Sequence, residues 1–150
     1  EIDSPPLDVE WREALRRRST SVRRVLLGHA WAIPLMESRS TPGPANLRHR
    51  EAITACLRRA GFSIEMTAHA TWLLDSYVYG FAIQERSLPV ATPEALEEMG
   101  EDLIGQMPGD EYPHLRAVGM DLVAARFDYR AEFAIGLDLI LDALDRLPRT

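Results

Sequence analysis

Asp75 stands in the middle of the most apolar stretch of the chain, SIEMTAHATWLLDSYVYGFAIQE at residues 63–85, with His69, Thr71 and Trp72 just before it. A carboxylate and an imidazole in an apolar setting are the groups of general acid–base chemistry. Six residues apart, however, His69 and Asp75 fall about 120° from a shared side of a helix, too far to work as a pair. No Gly-x-Ser-x-Gly elbow, cysteine with a nearby histidine, or glutamate pair of the di-iron kind accompanies them, so the chain is expected not to be an enzyme. The four histidines are scattered and no ligand pair has metal spacing, so neither a metal nor any other cofactor is expected. What remains is a polar line through His69, Thr71 or Trp72 and Asp75, recurring about every three to four residues. It is either a satisfied buried network or the wall of a cavity. A buried carboxylate without a partner would neutralise, so Asp75 requires either a ligand or a structural partner such as Arg50, Tyr77 or a backbone group.

The element that must hold these groups is apolar on nearly every side, through Ile64, Ala68, Trp72, Leu73, Tyr77, Val78, Phe81 and Ala82, and so must be covered on more than one face. Its length would suit a membrane span, but Glu65, His69, Asp75 and Ser76 lie inside it, and it reads instead as the central helix of a soluble bundle. Ahead of it, Asp8 can cap a helix from Val9 to Gly28 whose buried stripe is Trp11, Leu15, Val22, Val25 and Leu26, with the arginines on the other side. A proline- and glycine-punctuated loop follows at residues 38–46, then a helix from Ala45 or Asn46 to Ala60, stopped by Gly61. Ser63 caps the central helix, and Thr92 with Pro93 opens a short acidic one. From His114 to Leu147 the pattern is helical in one long run, ended by Pro148. No alternating β-branched run occurs, and the fold class is all-α.

At 150 residues the chain is one domain with room for a core. Its 23 acidic residues outnumber 17 basic ones, all arginine, and the net charge of −6 argues against wrapping a phosphate backbone unaided. Arg12, Arg16, Arg17, Arg18, Arg23 and Arg24 crowd the first helix and read as a solvated face. The single Cys56 cannot close an internal disulfide, and the acidic opening is not a signal peptide, so a reduced, cytoplasmic setting fits. The central and last helices carry more apolar surface than their neighbours would hide. Tyr77, Val78 and Phe81, with Phe133, Leu137, Ile140, Leu141 and Leu144, are expected to meet a second copy, two helices from each chain making a four-helix interface.

Three stretches, WREALRRRSTSVRRVLLGH at residues 11–29, AGFSIEMTAHATWLLDSYVYGFAIQE at 60–85 and FAIGLDLILDALDRL at 133–147, together resemble the C-terminal domain of TetR-family transcriptional repressors, in the branch near the tetracycline repressor. The resemblance implies a helical bundle of that type, a homodimer, and a small, largely hydrophobic effector whose binding releases operator DNA. It also implies that residues 1–150 form the effector-binding and dimerisation domain, with a helix-turn-helix DNA-binding domain lying outside this sequence. The implied pocket would be ringed by Val22, Leu26, Trp31, Met36, Ile53, Leu57, Ala68, Thr71, Trp72 and Asp75, mostly apolar with a few placed polar groups. Where that branch has a metal-ligating histidine this chain has Met36 or Glu37, so neither magnesium nor tetracycline is carried over. The alternatives are a dimerisation or interaction module without an effector and, less well supported, a small helical enzyme.

Overall fold

The computed structural model describes residues 9–29, 31, 43–88, 92–109 and 111–147; Asp8 and Pro148 lie outside them. Every regular element among the described residues is an α-helix: α1 Trp11–Gly28, α2 Pro44–Arg59, α3 Ile64–Arg86, α4 Pro93–Gln106, α5 Pro113–Ala124 and α6 Tyr129–Asp145. The chain divides into two compact units, Glu1–Arg86 with Ile135–Thr150, and Ser87–Ala134.

The helix ends follow from local chemistry. The Glu10 carboxylate accepts from the backbone N–H groups of Arg12 and Glu13 and so caps α1. Ser63 caps α3 through Met66 N–H at 3.1 Å, and Thr92 caps α4 through Ala95 N–H at 3.2 Å, with Pro93 in the first turn. The α2 end is a Schellman turn: Phe62 N–H donates to Leu57 O, Gly61 N–H donates to Arg58 O, and Gly61 takes φ 88°. The turn brings Leu57 and Phe62 together as fully buried neighbours, and Trp11 of α1 packs edge-on against Phe62 with ring centroids 5.1 Å apart.

The long helical run expected after His114 is broken. Phe127 N–H donates to Leu122 O and Arg126 N–H to Val123 O, the same turn as at Gly61, but with Arg126 at φ 52°. Asp128 then caps α6 through Arg130 N–H. The stop lacks the glycine that usually announces it, which is why the pattern reads as continuous.

In the first unit the core comes from Leu15, Val22 and Leu26 of α1, Ile53 and Leu57 of α2, Leu74 and Val78 of α3, and Leu137 and Leu141 of α6. Ion pairs fix the register of α1 against its neighbours. Arg16 Nη2 meets Asp138 at 2.6 Å, and Arg12 pairs with Asp142 while donating to Leu141 O, so α1 and α6 run antiparallel. The Arg12 guanidinium holds the Asp142 carboxyl below its usual range. In the second unit α4 and α5 form a hairpin in which no described residue of either helix is fully buried. They cross closely at glycines: a Cβ at Gly100 would come within 2.8 Å of Val123, and one at Gly119 within 3.1 Å of Ile104.

Candidate functional site

The chemistry-bearing groups converge where α1, α2 and α3 meet. Arg18 follows Leu15 by three residues and precedes Val22 by four, so it sits in the buried stripe of α1 rather than on the solvated side. Its side chain is 2 % exposed. Arg18 Nη2 donates to Asp75 Oδ1 at 2.6 Å, and Arg18 Nε donates to His49 Nε2 at 3.2 Å. Asp75 therefore has a structural partner, and it is Arg18; the expected alternative Arg50 hydrogen-bonds Asn46 of its own helix instead. To accept from Arg18, the His49 ring must be neutral with its proton on Nδ1. Burial, and then the Arg18 charge, push the His49 pKa below its ordinary value, which favours that form. Among the described residues of this unit, three buried side-chain atoms have no hydrogen-bond partner: Arg18 Nη1, Ser19 Oγ and Thr67 Oγ1.

A second arginine expected in solvent is also inside. Arg23 is 8 % exposed and makes a bidentate pair with Glu85, Nε to Oε2 at 2.8 Å and Nη2 to Oε1 at 2.6 Å, while its guanidinium lies 5.8 Å from the Phe81 ring centroid. Arg86 returns a bond to Leu27 O at 3.2 Å. Thus α1 and α3 are joined by charge at successive levels along their length.

Of the ten residues expected to ring a pocket, Val22, Leu26, Ile53 and Leu57 are brought together as fully buried core. Thr71 is half-buried and donates its hydroxyl to Thr67 O, one turn before Asp75. Ala68 is exposed and Trp72 is 64 % exposed, resting against His69, while Trp31 is 69 % exposed; none of the three joins the core at this junction. Met36 lies outside the described residues. The buried stripe of α3 is Thr67, Ala70, Leu74, Val78 and Ala82, and Ala68 and Trp72 fall off its phase. A helix apolar all round offers no sequence signal for that phase. The residues that sequence reasoning missed are Arg18, His49, Arg23 and Glu85. For Arg18 a signal existed, its place in the Leu15–Val22 stripe.

The eight residues expected at a dimer interface divide differently from the expectation. Val78, Phe133, Leu137, Leu141 and Leu144 are buried within the chain itself and have almost no surface to offer a partner. Tyr77, Phe81 and Ile140 are half-buried. Tyr77 lies so close to Gly136 that a Cβ there would overlap its hydroxyl. The large apolar side chains left outside on these helices are Ile64, Trp72, Leu73 and Ile83 of α3 and Ile135 and Leu139 of α6.

The second unit holds a hollow of about 420 Å³ between α4 and α5, lined by side chains such as Leu96, Leu103, Leu115, Val118, Leu122 and Phe127. None of the ten expected pocket residues lines it. It is the mostly apolar inner face of a two-helix hairpin, with Glu94, Glu97, Arg126 and Tyr129 among its lining, whereas the fully buried polar groups are at the three-helix junction. No group of three or more potential metal ligands occurs among the described residues, and none of the described helices is long and apolar enough to cross a membrane.

Residues 4–147 match the family described as Tetracyclin repressor-like, C-terminal domain. The chain belongs to that family. Its members are transcriptional regulators and not enzymes. An HTH-type transcriptional regulator of Saccharopolyspora erythraea is 36 % identical over 79 residues, 53 % of this chain, and the chain spans about a third (32 %) of that curated relative's length. Among solved structures, the TetR protein SCO7222 of Streptomyces coelicolor has a TM-score of 0.77 at 23 % identity, covering 95 % of this chain and 69 % of that one. ActR of the same organism, in complex with actinorhodin, has a TM-score of 0.74 at 23 % identity over 96 % of this chain and 67 % of its own. At such identities the likeness establishes the all-helical TetR C-terminal fold.

Proposed function

We propose that this domain is the effector-binding and dimerisation part of a cytoplasmic transcriptional repressor. Two copies pair, a small and largely hydrophobic effector binds each, and a separate helix-turn-helix domain then releases operator DNA. The observation that carries the sensor reading is the Arg18–Asp75–His49 cluster, a charged centre set into the junction of three helices and left with an unpaired donor. A scaffold has no need of it, because apolar side chains of similar volume hold a core at least as well as a buried ion pair. That ActR is known in complex with actinorhodin supports a small-molecule effector for a domain of this fold.

Coupling follows from where the cluster lies. Arg18 and Arg23 tie α1 to α3, so a ligand that inserts beside Arg18 competes with the contact that sets the position of α1. An effector acts only through different affinities for the two positions. Pairing of two copies is assigned to the outer face of α3 and α6, where Ile83, Ile135 and Leu139 are exposed. The competing reading, a dimerisation module with no effector, draws on the close packing of Val22, Leu26, Ile53 and Leu57.

One experiment separates them. Operator binding by the full-length repressor is followed by fluorescence anisotropy while a small-molecule panel is added, alongside sedimentation of the parent and of Leu139→Glu. A dimer that dissociates in Leu139→Glu, with operator released by at least one compound, is expected. A parent that sediments as a single copy would sink the pairing; a dimer whose operator affinity no compound alters would favour the plain module.

A further inference from the structure

Arg18 holds the centre of the three-helix junction with donors to spare. A guanidinium carries five N–H donors and no acceptor. Arg18 Nε is used by His49 and Nη2 by Asp75, while Nη1 is buried with no acceptor. A buried charged donor without a partner is costly to maintain. At the buried contact itself the charges nevertheless balance: Asp75 offsets the guanidinium, His49 accepts as a neutral ring, and Arg50, the further charge acting on His49, is exposed. A carboxylate or phosphate would bring an uncompensated charge into this site, and an amine would face the guanidinium directly. A neutral oxygen accepts from Nη1 and leaves the balance as it is. Leu15 and Val22 flank Arg18 on α1 and Ile53 lies one turn beyond His49 on α2, all fully buried, so a largely apolar molecule suits the frame in which that oxygen would sit. Asp75 keeps 15 % of its side chain exposed, so the centre is not sealed on its α3 side.

We propose that Arg18 Nη1 is the polar anchor of the effector site, and that the effector is a neutral, apolar molecule bearing a carbonyl oxygen. This rests on the reading of the domain as a sensor and adds the chemical class of what it senses.

The test is a calorimetric titration of the full chain with three probes sharing one ring system: 2-acetonaphthone, the hydrocarbon 2-ethylnaphthalene and the carboxylate 2-naphthoate. The ketone is expected to bind about tenfold more tightly than either of the others, the gain typical of a hydrogen bond from a charged donor. In the double variant Arg18→Met, Asp75→Leu, which removes both charges together and strands neither, the ketone's advantage disappears while the hydrocarbon still binds. The infrared carbonyl band of bound ketone lies at lower frequency in the parent than in the double variant or, should that variant not fold, than in hexane. Tightest binding of 2-naphthoate would overturn the neutral-acceptor assignment. So would an unshifted carbonyl band, or equal binding of ketone and hydrocarbon to the parent, and in both cases the sensor reading would survive. Failure of all three probes to bind would overturn this proposal, while the sensor reading would still be decided by operator release across the compound panel.

Discussion

The two units solve the same local problem with different residues and bury their side chains to different depths. Both end a helix in a Schellman turn followed by phenylalanine, Ala60-Gly61-Phe62 in the first unit and Ala125-Arg126-Phe127 in the second. In the first, glycine takes the left-handed position without strain, and Phe62 is buried against Trp11. In the second, an arginine is held at φ 52° and Phe127 stays half-exposed. The contrast extends to charge. The first unit takes Arg18 and Arg23 inside and pairs both, whereas α4 and α5 leave their acidic side chains on an accessible hairpin with no fully buried residue described. A region that buries charge holds one arrangement until something replaces the buried contact, because breaking a buried pair costs more than forming it gained. A region with little burial can open at low cost.

The sharpest way to break this comparison is Asp75→Ala, which strands the Arg18 charge. It is expected to lower unfolding free energy by about 3–5 kcal/mol, read from the denaturant midpoint, and a loss below about 1 kcal/mol would mean the cluster is not buried as described. Next, Leu57→Ala in the first unit should cost about 2–5 kcal/mol, while Leu103→Ala in the hairpin should stay within roughly 0.5 kcal/mol. Amide exchange should agree, with α4 and α5 exchanging well before α1 and α3; equal protection would erase the distinction between the units. The two turns are tested by a reciprocal pair. Gly61→Ala should lose about 1 kcal/mol from the strained φ, and Arg126→Gly should be neutral or gain up to about 1 kcal/mol.

The smallest effect is one of pH. The folded-state pKa of His49 is lowered from its ordinary 6.5, so the unfolded chain takes up that proton first. The stability it contributes is complete above 6.5 and is lost as pH falls from there through the lowered folded-state value. His49→Gln should flatten the stability profile between about pH 7 and pH 5.5, where carboxylates still contribute little. An unchanged profile would mean that His49 is not held neutral by Arg18 and burial. Arg50 and Asp75 are the other charged groups acting on it.

Much of the fold was legible because its signals are local. Ser63, Thr92 with Pro93, and the Gly61-Phe62 turn announce helix ends by chemistry confined to a few residues, and the three- and four-residue apolar spacing announces the helices between them. The break at Arg126 was not legible, since arginine is a good helix former and nothing in the residue type marks a stop. Nor was the phase of α3, where Ala68 and Trp72 are as apolar as Ala70 and Leu74. Core and surface could not be told apart in α6 for the same reason: Leu137 and Leu141 are buried and Ile135 and Leu139 exposed, and all four are aliphatic.

By itself the sequence determined the all-helical class, the capping of α3 by Ser63 and of α4 by Thr92, and the three stretches that place the chain in the Tetracyclin repressor-like family. Only the tertiary structure decided that Arg23, out of six arginines on one helix, joins Arg18 inside, and that Arg18 is the partner of Asp75. Helix-forming preferences act between residues a turn apart, whereas the Arg18–Asp75 pair joins residues 57 positions apart. Which charge faces which carboxylate is settled by the packing of whole helices, and that packing has no signature in the spacing of either one.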